Sequence, residues 1–378
     1  MGEHMKKKLL LGALAAAGIQ SAHAVDMQAG DWTVSVGGIV NAYLTSVSCS
    51  GDTVPGVALA GKALGCGGED HRTTIGNGLL PNGLIAGAKS KQGEYDVSGT
   101  IGIMAHTATD SAIAANSGVD VRQAFITIGN ASMGTVKLGR DYGVFGAKAI
   151  LGDMTLLGAG APVQATQRGR VALGHIGAGY TYLGTYGQVE YSSPKAGGVG
   201  IDVALVSPVS NGGTFNARSA PQVQAQVTMG ADGFNGWLGA KTQKFYSTTA
   251  ADDFTMNAFE LGASYNEGAL GLLVNIQSGK GIGMLADGDQ GDIRQTNWFA
   301  QATVKTSDKM KLGVSYGISR NSDDTVGLRS NSNLTVGAYY ALTKSVTLVG
   351  EIGQTRSKAV AGGDARMNGV SVGGILFF

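Results

Sequence analysis

The ten residues Asn333 to Leu342 read N-L-T-V-G-A-Y-Y-A-L and alternate in character from one position to the next. Leu334, Val336, Ala338, Tyr340 and Leu342 share one phase, while Asn333, Thr335, Gly337 and Tyr339 share the other. Successive side chains of a strand point to opposite faces, so one face of this segment is greasy and the other wet. A tilted strand of about ten residues is long enough to cross a bilayer. Such a strand can place alternate residues in lipid only if every backbone group is paired, which requires the sheet to close. The predicted fold class is therefore all-β: a 16-stranded antiparallel transmembrane β-barrel.

Strand-like segments recur along the chain with turn signals between them. They are expected at Trp32–Leu44, Leu80–Lys91, Tyr95–Ala105, Val119–Gly129, Gly134–Gly139, Gly187–Ser193, Val199–Val206 and Pro221–Met229. Gly236–Ser247, Met256–Asn266, Leu270–Gly279, Thr296–Thr306, Met310–Ser319, Asn331–Leu342, Val346–Gln354 and Met367–Phe378 complete the set. Short turns alternate with long connections, as in bacterial outer-membrane barrels. The alternation is clear where Val223, Ala225, Val227 and Met229 interleave with Gln222, Gln224, Gln226 and Thr228. Gln301, Thr303 and Lys305 interleave with Trp298, Ala300, Ala302 and Val304, and Glu351 lies between Gly350 and Ile352. On this reading Gln222, Gln224, Gln226, Lys305 and Glu351 line a wet lumen. A soluble sandwich alternates too, but the start of the chain argues against it. Trp32, Tyr43, Tyr95, Tyr265, Trp298 and Phe378, near strand ends, are candidates for interfacial aromatic girdles.

Lys6, Lys7 and Lys8 precede an apolar run from Leu9 to Ile19 and then Ala22-His23-Ala24. A basic stretch, a short apolar run and a small-x-small site are the parts of a secretory signal peptide. Residues 1–24 are read as that signal, with residues 1–4 an expression remnant or mis-assigned start, and residues 25–378 as a single barrel domain. Lys and Arg total 28 against 27 Asp and Glu, which gives no support to nucleic-acid binding. The 62 glycines are more than twice the usual ~7 % and suit closely packed strands and tight turns. Cys49 and Cys66 lie in a Gly-rich stretch, and an exported chain meets an oxidising periplasm, so a disulfide is expected.

Gly134–Gly143, G-T-V-K-L-G-R-D-Y-G, is followed by a long stretch without a good strand. Together with Arg122-Gln123-Ala124-Phe125, the stretch V-E-Y-S-S-P-K-A-G-G-V-G from Val189 to Gly200 and the terminal Phe378, it resembles the proteobacterial general diffusion porins. The resemblance implies a trimeric, water-filled outer-membrane channel of a Gram-negative bacterium, whose third long loop folds inward and narrows the pore. It also implies wall arginines facing acids on that loop. By position the basic side is Arg72 near the start of the second strand, Arg122, Arg140, Arg168 and Arg170, and the pore loop contributes Asp141, Lys148, Asp153 and Met154. Arginine outnumbers acid there, so a mild anion preference is expected, because a positive constriction lowers the barrier to anions.

An enzyme is not expected. The histidines His71, His106 and His175 stand in no recognisable nucleophile context. No cofactor or metal is expected either, apart from a weak surface calcium reading for Asp287, Asp289 and Asp292, which lack the spacing of a helix-loop-helix site. The expected partners are outer-membrane lipid and lipopolysaccharide, small hydrophilic solutes and ions, and two further copies of the chain. The competing readings are a substrate-selective anion or organic-acid channel, a non-conducting structural or adhesive barrel, and a barrel lipid enzyme.

Overall fold

The computed structural model describes residues 24–107, 118–160, 172–208, 210, 215–217, 219–249, 253–325 and 327–378. The proposed signal peptide, apart from residue 24, lies outside them, as do Arg168 and Arg170.

Sixteen long strands form the barrel. They are β1 (Trp32–Gly51), β2 (Asn82–Gln92), β3 (Tyr95–His106), β4 (Gly118–Asn130), β5 (Gly134–Tyr142), β6 (Thr185–Ser192), β7 (Val199–Val206) and β8 (Gln222–Ala231). They continue as β9 (Phe234–Ser247), β10 (Phe254–Glu267), β11 (Leu270–Lys280), β12 (Arg294–Lys305), β13 (Met310–Asn321), β14 (Leu328–Ala341), β15 (Val346–Ala359) and β16 (Asp364–Phe377). Each pairs antiparallel with its neighbours in sequence. The ring closes where β16 pairs with β1, from Ala365 opposite Gly51 to Phe377 opposite Ile39. Below that seam Phe378 exchanges backbone hydrogen bonds with Gly38, and Val25–Ala29 continues the row along the start of β1. The short strand His71–Gly76, which the sequence pattern does not reveal, pairs with the upper half of β1.

Turn chemistry sets the register at the short-connection end. Between β8 and β9 only Asp232 and Gly233 intervene, both at positive φ (41° and 82°), as a two-residue type I′ hairpin demands. The other end carries the long connections 52–81, 107–117, 143–184, 207–221 and 281–293.

The alternation becomes two chemically distinct walls. On β14, Leu334 and Val336 are 44 % and 46 % exposed, whereas Asn333 before them and Thr335 between them are 1 % and 0 % exposed. The same outward apolar belt runs through Leu261, Val274, Ile276, Val314, Ile352, Val370 and Val372. So large a continuous apolar surface requires lipid against it. The inward phase carries Gln224, Glu260, Gln277, Asn331 and Glu351, all buried. Among the described residues no helix is long and apolar enough to cross a membrane; the strands do so.

Among the residues of the girdle expectation, Trp298 is exposed and packs on Tyr316 with ring centroids 5.2 Å apart, and Tyr95 and Phe378 are exposed near the short-turn end. Tyr43 departs from it. Its neighbours Ala42 and Leu44 take the outward phase, so Tyr43 points inward and is buried, donating its hydroxyl to the Leu157 carbonyl at 2.5 Å.

Candidate functional site in the lumen

The stretch after β5 is clamped at its base, where the Gly143 amide donates to the Gly184 carbonyl at 3.2 Å. From there the chain forms a short helix (Ala147–Gly152) and a 3-10 turn (Met154–Leu157). Asp153 starts the 3-10 turn by accepting from the amide and hydroxyl of Thr155, both at 2.8 Å.

Backbone amides of this segment find acceptors on inward-facing side chains of the wall. Phe145 N–H donates to Gln224 Oε1 (3.0 Å) on β8, and Gly146 N–H to Glu260 Oε2 (3.0 Å) on β10. Gln301 on β12 accepts from Met154 N–H at 2.8 Å and donates to the Gly152 carbonyl at 2.7 Å. Glu351 Oε2 on β15 accepts from Ala159 and Gly160 N–H at 2.8 and 2.7 Å, while its Oε1 accepts from Tyr339 Oη at 2.7 Å. On the returning arm Gly179 N–H donates to Ser319 Oγ (3.1 Å) and Thr181 N–H to Gln277 Oε1 (2.9 Å). Irregular backbone away from water must have its polar groups paired, and here the wall supplies the partners.

Apolar contacts complete the docking. Met154, Tyr43, Tyr339 and Val349 form one buried cluster. Leu59, Ile150, Leu156, Leu173, Ile176 and Met284 belong to a larger one, with Trp237, Leu273, Phe299 and Met367 of the wall. Burying a Leu or Ile fully is worth about 1.5–3 kcal/mol, so these side chains hold the segments as firmly as the hydrogen bonds do.

The expected site residues separate into groups. Arg122 is inward and buried, its Nε 3.1 Å from Asp120 Oδ2, with a guanidinium nitrogen 3.1 Å from His106 Nε2 and the other 3.5 Å from Tyr182 Oη. A bulge opposite Gly102 and Ile103 lets Arg122 and Gln123 both face inward, which strict alternation forbids. Gln222, Gln224 and Gln226 are inward and buried; Gln222 donates to Asp287 at 2.9 Å and Gln226 to the Val144 carbonyl at 3.2 Å. Lys148 is half-buried in the short helix. Lys305 stands exposed at the short-turn end of β12. Cys49 and Cys66 are disulfide-bonded.

Four placements correct the sequence reading. Arg140 shares its phase with Val136 and the exposed Leu138, so it points outward and bonds the Val121 carbonyl and Thr185 Oγ1, both at 3.0 Å. Asp141 belongs to β5 and not to a loop; it accepts from Gln123 (2.9 Å) and pairs with Lys137 (2.7 Å). Asp153 faces no solvent, because Tyr180 Oη (2.6 Å) and His175 Nδ1 (3.0 Å) close over it. Burial alone pushes its carboxyl up, but His175, Tyr180 and Thr155 outweigh that and hold it below the usual carboxylate range. Arg72 lies in the short strand His71–Gly76, opposite Val47, and not at the start of β2. The acids Asp287, Asp289 and Asp292 face Lys241, the amides of Met284, Leu285 and Ala286, and Lys280 respectively.

Glu260, Gln277, Gln301 and Ser319 were not singled out by the sequence reading as anchors for the inner segment. Their inward phase was legible, but their partners lie about 100 or more positions away.

A closed barrel with an apolar outer wall and a polar inner wall defines an outer-membrane channel. The family model for Gram-negative porins matches residues 10–360, and the chain belongs to that family. In fold it is similar to the outer membrane channel DcaP of Acinetobacter baumannii (17 % identity, 94 % of this chain and 100 % of that one, TM-score 0.68). It is also similar to an anion-selective porin from Comamonas acidovorans (18 %, 92 % and 100 %, TM-score 0.67). A third similar structure is the trimer form of OmpT from Vibrio cholerae (15 %, 92 % and 99 %, TM-score 0.58). No curated protein matches it in sequence.

Proposed function

We propose that this outer-membrane channel passes small hydrophilic solutes and ions by passive diffusion, with a mild anion preference, and that it works as a homotrimer embedded among outer-membrane lipid and lipopolysaccharide. The carrying observation is the sealed barrel whose inward row is polar on strand after strand. Segment 143–184 is the inward-folded third long loop in this proposal, and its anchors from β8 to β15 support that role. Residues 1–24 direct export and residues 25–378 form the pore domain. Anion preference rests on Arg72, Arg122, Arg168 and Arg170, on Lys148 of the loop, and on Asp153 being enclosed instead of facing the lumen. The anion-selective porin from Comamonas acidovorans and the OmpT trimer form are in keeping with both refinements.

One observation favours a narrower, substrate-selective channel as the second reading: the apolar cluster of Leu59, Ile150, Leu156 and Leu173 occupies lumen that a wide pore leaves to water. Reconstitution separates the cases. Liposome swelling with graded sugars gives size-limited uptake for a diffusion pore, uptake of few solutes for a selective channel and none for a non-conducting barrel. The reversal potential in a planar bilayer under a salt gradient takes the sign of anion selectivity, and clear cation selectivity defeats that refinement.

A further inference from the structure

The part of the first long connection before the short strand, residues 52–70, contains an apolar tip, Val57-Ala58-Leu59-Ala60, between polar flanks. Its place is inside the barrel. Asn331, on the inward phase of β14, donates from Nδ2 to the Val57 carbonyl at 2.8 Å and accepts from Leu59 N–H at 3.2 Å. Ser357 on β15 accepts from Ala60 N–H at 3.0 Å and donates to Asn331 Oδ1 at 2.6 Å. Leu59, Ala60 and Cys66 are essentially without exposure, and the Cys49–Cys66 bridge ties the returning arm to β1. The flanks stay in water: Asp52, Thr53, Pro55 and Gly56 before the tip are exposed, as are residues 67–70 after it, and Lys62 and Asp70 form an ion pair at 51 % and 64 % side-chain exposure.

The tip reaches the segments entering from elsewhere on the wall. At Gly177, on the returning arm of 143–184, a side chain would fall 3.3 Å from Leu59 Cδ1 and 2.6 Å from Leu285 Cδ2. Gly177 also has φ +77°, so the junction of three inward segments is built on a residue that needs no side chain. A loop lying over the rim would leave Asn331 and Ser357 to water. Both are fully buried, with the loop backbone as their partner.

We propose that residues 52–70 form a second size-determining element of the channel, positioned by the Cys49–Cys66 bridge and by Asn331 and Ser357, with Leu59 as its apex. This rests on the channel reading above. Two variants test it: Cys49→Ser/Cys66→Ser, which frees the returning arm, and Leu59→Ala, which keeps the bridge and shortens the apex. The measured quantity is the ratio of disaccharide to pentose uptake in liposome swelling. Both variants should raise that ratio severalfold while pentose uptake stays near wild type, with the larger rise in the double variant. If the double variant does not assemble, Leu59→Ala decides alone. Wild-type pentose uptake with an unchanged ratio in the variants overturns the inference by itself. Wild-type vesicles sealed to pentose overturn it together with the channel reading.

Discussion

Glu351 offers the sharpest test of how the inner segment is held. One carboxylate oxygen accepts from two loop amides, Ala159 and Gly160, and the other from the Tyr339 hydroxyl. At about 1.5 kcal/mol each, the low end for bonds to a charged group, the three contribute roughly 4–5 kcal/mol. Glu351→Ala removes all three acceptors and leaves three donors facing an apolar methyl. With about 1.4 kcal/mol per factor of ten, the local docking equilibrium shifts by up to roughly a thousandfold. Glu351→Gln behaves differently. Its carboxamide oxygen serves both amides, and its NH₂ donates to Tyr339, whose hydroxyl accepts as well as donates. Only the charge assistance is lost, so the cost should stay below about half of the alanine value. Hydrogen exchange read by mass spectrometry on a peptide spanning Met154–Gly160, with the porin in detergent, reports the docking directly. Protection should fall steeply in the alanine variant and modestly in the glutamine variant. Single-channel current noise should rise in the same order. Equal protection in all three proteins refutes the claim that the wall carboxylate holds this segment.

Three further outcomes are expected. Val336→Arg puts a charge on the lipid face and should cost about 2–4 kcal/mol of folding free energy in urea titrations into vesicles, if the site lies near the bilayer midplane. For pH, the Asp153 carboxyl is held below its ordinary value, so its contribution is fully present above the unfolded carboxylate pKa and is lost as pH falls through the lower folded one. The conductance difference between the wild type and Asp153→Asn should therefore persist from neutral pH down to about pH 4 and close only below it. Arg170→Ala should weaken the anion bias in reversal-potential measurements without loss of the barrel, and an unchanged bias removes Arg170 from the selectivity account.

Much of the barrel was legible because strand alternation is a local property. The phase of Leu334 and Val336 against Asn333 and Thr335 follows from neighbouring residues alone, and the Asp232-Gly233 hairpin is written in its turn chemistry. The interior was less legible for two separate reasons. Some errors ignored a local signal: the outward phase of Leu138 carries Arg140 with it, and Tyr43 follows the inward phase between Ala42 and Leu44. Others needed long-range information. Asp153 reads as a pore-facing acid until Tyr180 and His175, more than twenty positions on, fold over it. The bulge that turns both Arg122 and Gln123 inward, and the insertion of residues 52–70 against Asn331 and Ser357, depend on pairings that no local pattern encodes.

The two-walled cylinder itself is tested most directly by scanning β14 one position at a time. Spin labels at engineered cysteines from residue 332 to 338, in the porin reconstituted in bilayers, report access to a lipid-soluble and a water-soluble relaxation agent. The native cysteines are bonded to each other and stay unlabelled. Lipid access should peak at 334 and 336 and drop at 333 and 335. Smooth accessibility along the strand, or a repeat nearer 3.6 residues, contradicts the barrel.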